Sequence, residues 1–261
     1  AATYAIRTST NPGDRTRGVE FRGSNTYGGS TDLTRGTLFL GASDTLPVTT
    51  FLDIHWASSN NGEYSGLDMK GLNQTIGALM NSGVSGSDAT ITNSSASLST
   101  LTVNQAVNTV YKGTISGPVA LVKNGAGNLT IGYPARYSGT TTVRGGTLTL
   151  GTNQALSKDN AVILDGGTLD ASSTTNTLAS LTVTAASSIA LGQGQLTFSA
   201  QTATAWSGLL NLTGTLGATS VRTQPLLTAD QLGSIRFNGR RIPQNSSGYL
   251  APYFGTLMWL N

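Results

Sequence analysis

The sequence predicts an all-β protein whose chain coils as a β-solenoid, and three observations predict it. Apolar residues alternate with Thr or Ser over only three to five positions at a time: "LTV" at Leu101, "NLTIG" at Asn128, "TLTLG" at Thr147, "LTV" at Leu181, "QLTF" at Gln195 and "LLNLTG" at Leu209. Such units are short strands with one face in and one face out. Some recur at 19 to 21 residues, as at Leu129, Leu148 and Leu169, which places each strand above its equivalent one turn below. An antiparallel sandwich would use tighter hairpin spacing. Finally, "YGGSTDLTRGTLFLG" at Tyr27–Gly41 returns as "YSGTTTVRGGTLTLG" at Tyr137–Gly151, 110 positions later without a gap.

From the N-terminus, "ATYAIRTSTN" puts Tyr4 and Ile6 on one face of a short strand-like segment, residues 1–16. Residues 17–199 carry the repeated units. Clusters such as "KNGAGN", "VRGG" and "LDGG" punctuate them with residues that accept positive φ. The long repeat resumes after an eight-residue insertion near His55–Gly66, where "GLDMKGLNQTIGAL" from Gly66 answers "TLDASSTTNTLASL" from Thr168. Residues 200–261 are either further rungs or a C-terminal cap and joint. Their single helical window, "LTADQLGSI" at Leu227–Ile235, supports one turn of helix.

These phrases resemble the autotransporter-associated β-strand repeat of bacterial secreted proteins. "GLNQTIGAL" at 71–79, "GTISGPVALVKNGAGNLTIG" at 113–132 and the two copies of the long repeat carry the resemblance. It implies a right-handed parallel β-helix over residues 17–199. It also implies display outside the cell, where a relative would be held by a C-terminal membrane barrel. No run of barrel-length strands is visible in this sequence.

Composition narrows the function. The 261 residues include 33 Gly, 38% hydrophobic residues and only 10% charged ones, with a net charge of +3. The Arg and Lys are scattered, so nucleic acid is not expected as a partner. The absence of Cys excludes a disulfide scaffold and a thiolate metal site. No apolar run is long enough for a transmembrane helix. The opening "AATYAIRTST" reads as a mature N-terminus left by signal-peptide removal, so an extracellular or cell-surface location is expected.

Chemistry-bearing constellations are sparse. His55, the single histidine, lies two residues from Asp53, and Ser is too common here to nominate a nucleophile. The 12 acids are dispersed, and Asp165 and Asp170 bracket a Gly-Gly corner that reads as a turn. No catalytic, metal or cofactor residues are assigned, and no enzyme is expected. The Asn-x-Ser/Thr triplets at Asn73, Asn93, Asn128, Asn211 and Asn245 arise readily in such a composition.

The expected function is therefore structural: a secreted protein that stacks end to end with copies of itself into a filament or surface coat. A solenoid ends in strand edges that template another chain, and heterologous contacts that do not close make fibres. About a dozen rungs at roughly 4.8 Å would give about 60 Å per subunit. The joint candidates are Tyr4 and Ile6 at one end and the apolar tail, Tyr249, Leu250, Tyr253, Phe254, Leu257, Met258, Trp259 and Leu260, at the other. Terminal strands of this kind suit either exchange between subunits or capping of their own chain. The alternative is an adhesin that binds cell-surface glycans through Trp56 and Tyr64, and a polysaccharide lyase or hydrolase is a third reading.

Overall fold

The computed structural model describes residues 4–7 (backbone only), 18–55, 64–83 and 88–251. Among them the chain is almost wholly β and winds through about ten turns, two fewer than the sequence spacing suggested. At ~4.8 Å per turn the coil is about 48 Å long.

Each full turn visits three faces. The first stacks β1 (Tyr4–Arg7), the N-terminal half of β3 (Thr31–Leu40), β4 (Phe51–Ile54), β7 (Ala78–Met80), β10 (Thr109–Tyr111), β13 (Asn128–Ile131), β16 (Thr147–Leu150), β18 (Thr168–Asp170), β21 (Ser187–Leu191), β23 (Leu210–Gly214) and β25 (Ile235–Phe237). The Asn81 amide joins β7 to β10 by donating to the Val110 carbonyl (3.0 Å). The second face stacks β2 (Gly18–Phe21), the C-terminal half of β3, β5 (Ser65–Asp68), β8 (Ala89–Thr92), β11 (Thr114–Gly117) and β14 (Arg136–Tyr137). After an irregular turn it continues with β19 (Thr175–Leu178), β22 (Gln195–Phe198), β24 (Val221–Thr223) and β26 (Tyr249–Leu250). The third holds β6 (Gln74–Ile76), β9 (Ser99–Asn104), β12 (Val119–Asn124), β15 (Thr141–Val143), β17 (Ala161–Asp165) and β20 (Ser180–Ala185). All pairings between strands are parallel except β24 with β26, and two isolated antiparallel bridges, Phe237 with Arg240 and Gln244 with Leu250, lie in the same C-terminal region.

The alternation in the sequence becomes columns in space. Leu129, Leu148, Leu169, Ile189, Leu212 and Phe237 stand in register on successive rungs, and all but Phe237 are buried. Leu38, Leu67, Ile91 and Ile115 do the same on the second face. Their Thr and Ser neighbours point outward, as the period of two requires.

Where the ladder breaks at corners, buried amide side chains stand in for peptides. Gln74 accepts from the Leu46 amide (3.0 Å) and returns a bond to the Leu46 carbonyl (3.0 Å). Gln201 does the same for Leu181 (2.9 and 2.8 Å). Both are fully or nearly fully buried, and buried backbone groups need such partners.

The long repeat encodes a network as well as strands. The Tyr137 hydroxyl meets Thr141 Oγ1 (2.6 Å), Thr141 donates to Asn160 Oδ1 (2.6 Å), and Asn160 Nδ2 donates to the Gly139 carbonyl (2.7 Å). In the first copy Tyr27, Thr31, Thr50 and Gly29 make the same chain of contacts. Burial pushes the Tyr137 phenol well above its ordinary pKa, partly offset by the Thr141 hydrogen bond. The two copies nonetheless occupy different faces. The pair of strand halves in β3 lies on the first and second faces, whereas its counterparts β15 and β16 lie on the third and first.

One inward column contains a cation. Ile76, Val103, Lys123, Val143, Leu164 and Val183 stack in register, and Lys123 is completely buried. Its ammonium donates to the carbonyls of Asn124 (2.8 Å), Gly125 (2.9 Å) and Gly145 (2.9 Å), which satisfies all three of its donors. The Gly-rich corner makes this possible: Gly125 and Gly146 both take positive φ, +76° and +58°.

Desolvation lowers the Lys123 pKa from 10.5 to about 8. Over that window the unfolded chain binds the extra proton, so stability rises with pH from about 8 to about 10.5. Urea titrations should show the wild type gaining up to about 3 kcal/mol across the window, whereas Lys123→Met should lack that gain. A pH profile shared by both proteins would refute the assignment.

Candidate functional site

A solenoid can act at its ends or along its flanks, and the two ends of this one are built differently. At the N-terminal end, β2 pairs with β3 alone among the described residues. Val19 lies in register beneath Leu38 and is 40% exposed, so it forms the floor of the second-face column. Glu20 ties this rung upward through Lys70 Nζ (3.3 Å) and is also bound by Arg22 Nε (2.8 Å). The Arg22 and Lys70 hydrogen bonds hold its carboxyl below the usual range.

Beside it, β1 runs parallel to β3, with Tyr4 opposite Thr31 and Ile6 opposite Leu33. The two N-terminal joint candidates thus lie on a strand that pairs within its own chain.

The C-terminal end departs from the regular coil. Trp206 Nε1 donates to the Leu181 carbonyl (3.2 Å) over the end of the third face. There α1 (Ala229–Gly233) follows, a single turn with a capping box between Thr228 and Gln231. Gln231 Nε2 donates to the carbonyls of Thr202 and Thr204 (2.8 and 2.9 Å), pinning that turn to the rung below. Finally β26 reverses direction and closes the edge of β24, with Leu250 opposite Val221 and 1% exposed. Arg222 lies over the Tyr249 ring at 5.4 Å.

Of the C-terminal joint candidates, Tyr249 and Leu250 therefore serve as a cap on their own chain. Tyr253, Phe254, Leu257, Met258, Trp259 and Leu260 lie outside the described residues.

The flank corrects one expectation. Tyr64, read as an exposed glycan platform, is only 7% exposed. Its hydroxyl meets Thr90 Oγ1 (2.7 Å), and its ring end lies where a side chain on residue 66 would stand, a position Gly66 leaves empty. A phenol packed over Gly66 of its own strand and bonded to the next rung offers no free face to a sugar. Its proposed companion Trp56 lies outside the described residues.

Asp32 and Asp53 are register partners on β3 and β4, and His55 Nδ1 lies 3.3 Å from Asp53 Oδ2. The contact lacks hydrogen-bond alignment, because that nitrogen has no partner of acceptable geometry. The other Asp53 oxygen accepts the Ser82 amide (3.0 Å). Among the described residues, no group of three or more His, Cys, Asp or Glu side chains could hold a metal ion. None of their helices is long and apolar enough to cross a membrane.

Sequence reading did not single out two flank features. Asn81 and Lys112, 31 positions apart, border one groove. Neither stands out locally, because the turn that brings them together lies between them.

The fold and the repeated networks define a parallel β-solenoid repeat protein. The chain carries an autotransporter-associated repeat: the passenger-associated-transport-repeat family matches residues 20–38 and 121–150. These segments hold both copies of the Tyr–Thr contact, and the second also contains the Lys123 corner. No curated protein and no solved structure matches the chain.

The contrast between the ends is measurable. Leu250→Ala should cost about 2–4 kcal/mol of unfolding free energy, and Val19→Ala under about 1 kcal/mol, because Val19 is already partly in water. Equal losses in denaturant titrations would contradict the asymmetry.

Proposed function

We propose that this chain is a secreted, passenger-like structural rod that assembles head to tail with copies of itself into an extracellular filament or coat. The observation that carries this reading is the N-terminal rung. There a strand with one partner and an exposed core residue, Val19, presents backbone groups and apolar surface of the kind another β-rung covers. At the far end, β23 is the one strand that pairs with β25 among the described residues, Phe237 also bridging Arg240 in the turn that follows, and the most apolar stretch of the sequence follows β26.

The two ends differ, so contact between them is heterologous and propagates unless rotation closes a ring. Sparse surface charge leaves little repulsion to oppose it. A structural role also suits the side chains: the hydroxyl and amide groups of the repeats are engaged in joining one rung to the next.

Negative-stain microscopy and sedimentation velocity test this. The full chain should form rods in multiples of the subunit length. A variant lacking residues 252–261 keeps every described contact and should remain monomeric with unchanged circular dichroism. Val19→Lys should weaken subunit association at least about tenfold. A full chain that stays monomeric at all concentrations, or a truncated one that polymerises undiminished, would overturn the proposal.

A further inference from the structure

The outer surface of the third face is unlike that of the other two. Its central column runs Thr75, Thr102, Val122, Thr142, Ile163 and Thr182 in unbroken register. All six are β-branched, so their χ1 angles are stiff and the column keeps a fixed relief. Two residues earlier on each strand line, a second outward column holds Thr100, Ala120, Thr140, Ala161 and Ser180. Neither column contains a charge. The nearest ones, Arg144 and Asp165, stand one column further along and pair with each other (3.3 Å). The first face, by contrast, carries Asp32, Asp53 and Asp170 on its outer surface.

The hydroxyls of this surface are not spent on the fold. On the first face Thr149 donates to Asn128 and Asp170 (3.1 and 3.3 Å), whereas those of Thr100, Thr102, Thr140, Thr142, Ser180 and Thr182 have no partner among the described residues. A flat, stiff sheet offers no concavity to a small molecule, and what fits it is a second flat sheet. The order of the rungs selects which one. From β9 to β20 the two columns read Thr and Thr, Ala and Val, Thr and Thr, Ala and Ile, Ser and Thr. Hydroxyl rungs alternate with aliphatic ones, and the order is the same from either end.

We propose that two copies of this chain pair back to back through the third face, about a twofold axis that runs along β15, with their coils pointing in opposite directions. That axis lays β12 on β17 of the second copy, aliphatic on aliphatic, and β9 on β20, hydroxyl on hydroxyl. Each hydroxyl both donates and accepts, so facing Thr and Ser side chains satisfy one another. The face measures about 24 Å by 20 Å, roughly 500 Å² per copy, short of the ~800 Å² per partner of a standard stable complex. Single copies therefore pair weakly, and rods joined end to end pair firmly because many such contacts add. This lateral contact extends the end-to-end reading above and uses neither end of the coil.

The chain has no Cys, so single cysteines in the full chain report the contact. With a short bifunctional maleimide at high protein concentration, Thr140→Cys, an exposed position on the axis, should give covalent dimers. Thr100→Cys and Ser180→Cys lie about 19 Å apart along the coil; each should give few dimers alone and many when the two are mixed. Ser188→Cys, on the outer surface of the first face, should stay monomeric. Adding Ile163→Lys to Thr140→Cys should cut the dimer yield at least about tenfold with unchanged circular dichroism, because Ile163 is an outward, partly exposed residue. Absence of Thr140→Cys dimers, a yield undiminished by Ile163→Lys, or Thr100→Cys linking to itself as readily as to Ser180→Cys would each overturn the pairing. Rods in negative stain without these dimers would leave the end-to-end reading standing, and dimers without rods would count against that reading alone.

Discussion

The structure depends on register between successive turns. In a parallel solenoid each residue stacks on its equivalent one turn away, so a column is apolar only if every turn delivers an apolar residue at the same phase. The Leu129–Leu148–Leu169 column shows this working with turns of 19 and 21 residues. Differences in turn length are absorbed at the corners, where the strand ladders stop. Backbone groups exposed there would be buried without partners, and Gln74 and Gln201 supply them by imitating a peptide unit. Lys123 follows the same logic with the opposite chemistry. It enters an aliphatic column, and its ammonium is tolerated because a Gly-rich corner turns three carbonyls toward it.

The duplicated segment shows which part of the design is local. Both copies build the Tyr–Thr network, and equivalent backbone bonds recur, such as Gly41 to the Phe21 carbonyl and Gly151 to that of Ile131. Yet the second copy starts one face earlier in the winding than the first. This is consistent because every contact of the network lies within about one turn of its own rung. What a copy needs is a neighbour one turn away, and the three faces provide that equally. One consequence is that outward features of the two copies do not line up, so a groove can form on the flank without being repeated by the duplication.

The ends follow from the same register rule. A rung that no further rung covers exposes both its strand edges and the last member of each column. At the C-terminal end the chain abandons the parallel coil to deal with this, using Trp206, the short α1 turn and the reversed strand β26. At the other end Val19 remains partly in water. The inequality between the ends gives the rod a direction, and a directed rod is what head-to-tail association requires.

How much of this could be read from residues alone can be judged from particular elements. Alternation at Leu129, Leu148 and Leu169 and the returning phrase at Tyr137 were sufficient for short parallel strands in a stacked coil, because strand period and turn length are local properties. The short helix after Leu227 was equally visible, since its capping box lies within four residues. Tyr64 was misjudged because its burial depends on Gly66 leaving room and on Thr90 one turn away. Lys123 looked like one member of a polar turn, and its place in an aliphatic column is a matter of register with Val103 and Val143. The sequence by itself determined the kind of strand, the turn residues and the coil. Only the tertiary structure decided which face each copy of the repeat occupies, which faces are capped at the C-terminal end, and that Asn81 and Lys112 share a groove. Those outcomes depend on the summed lengths of intervening corners, and no single window of residues contains that sum.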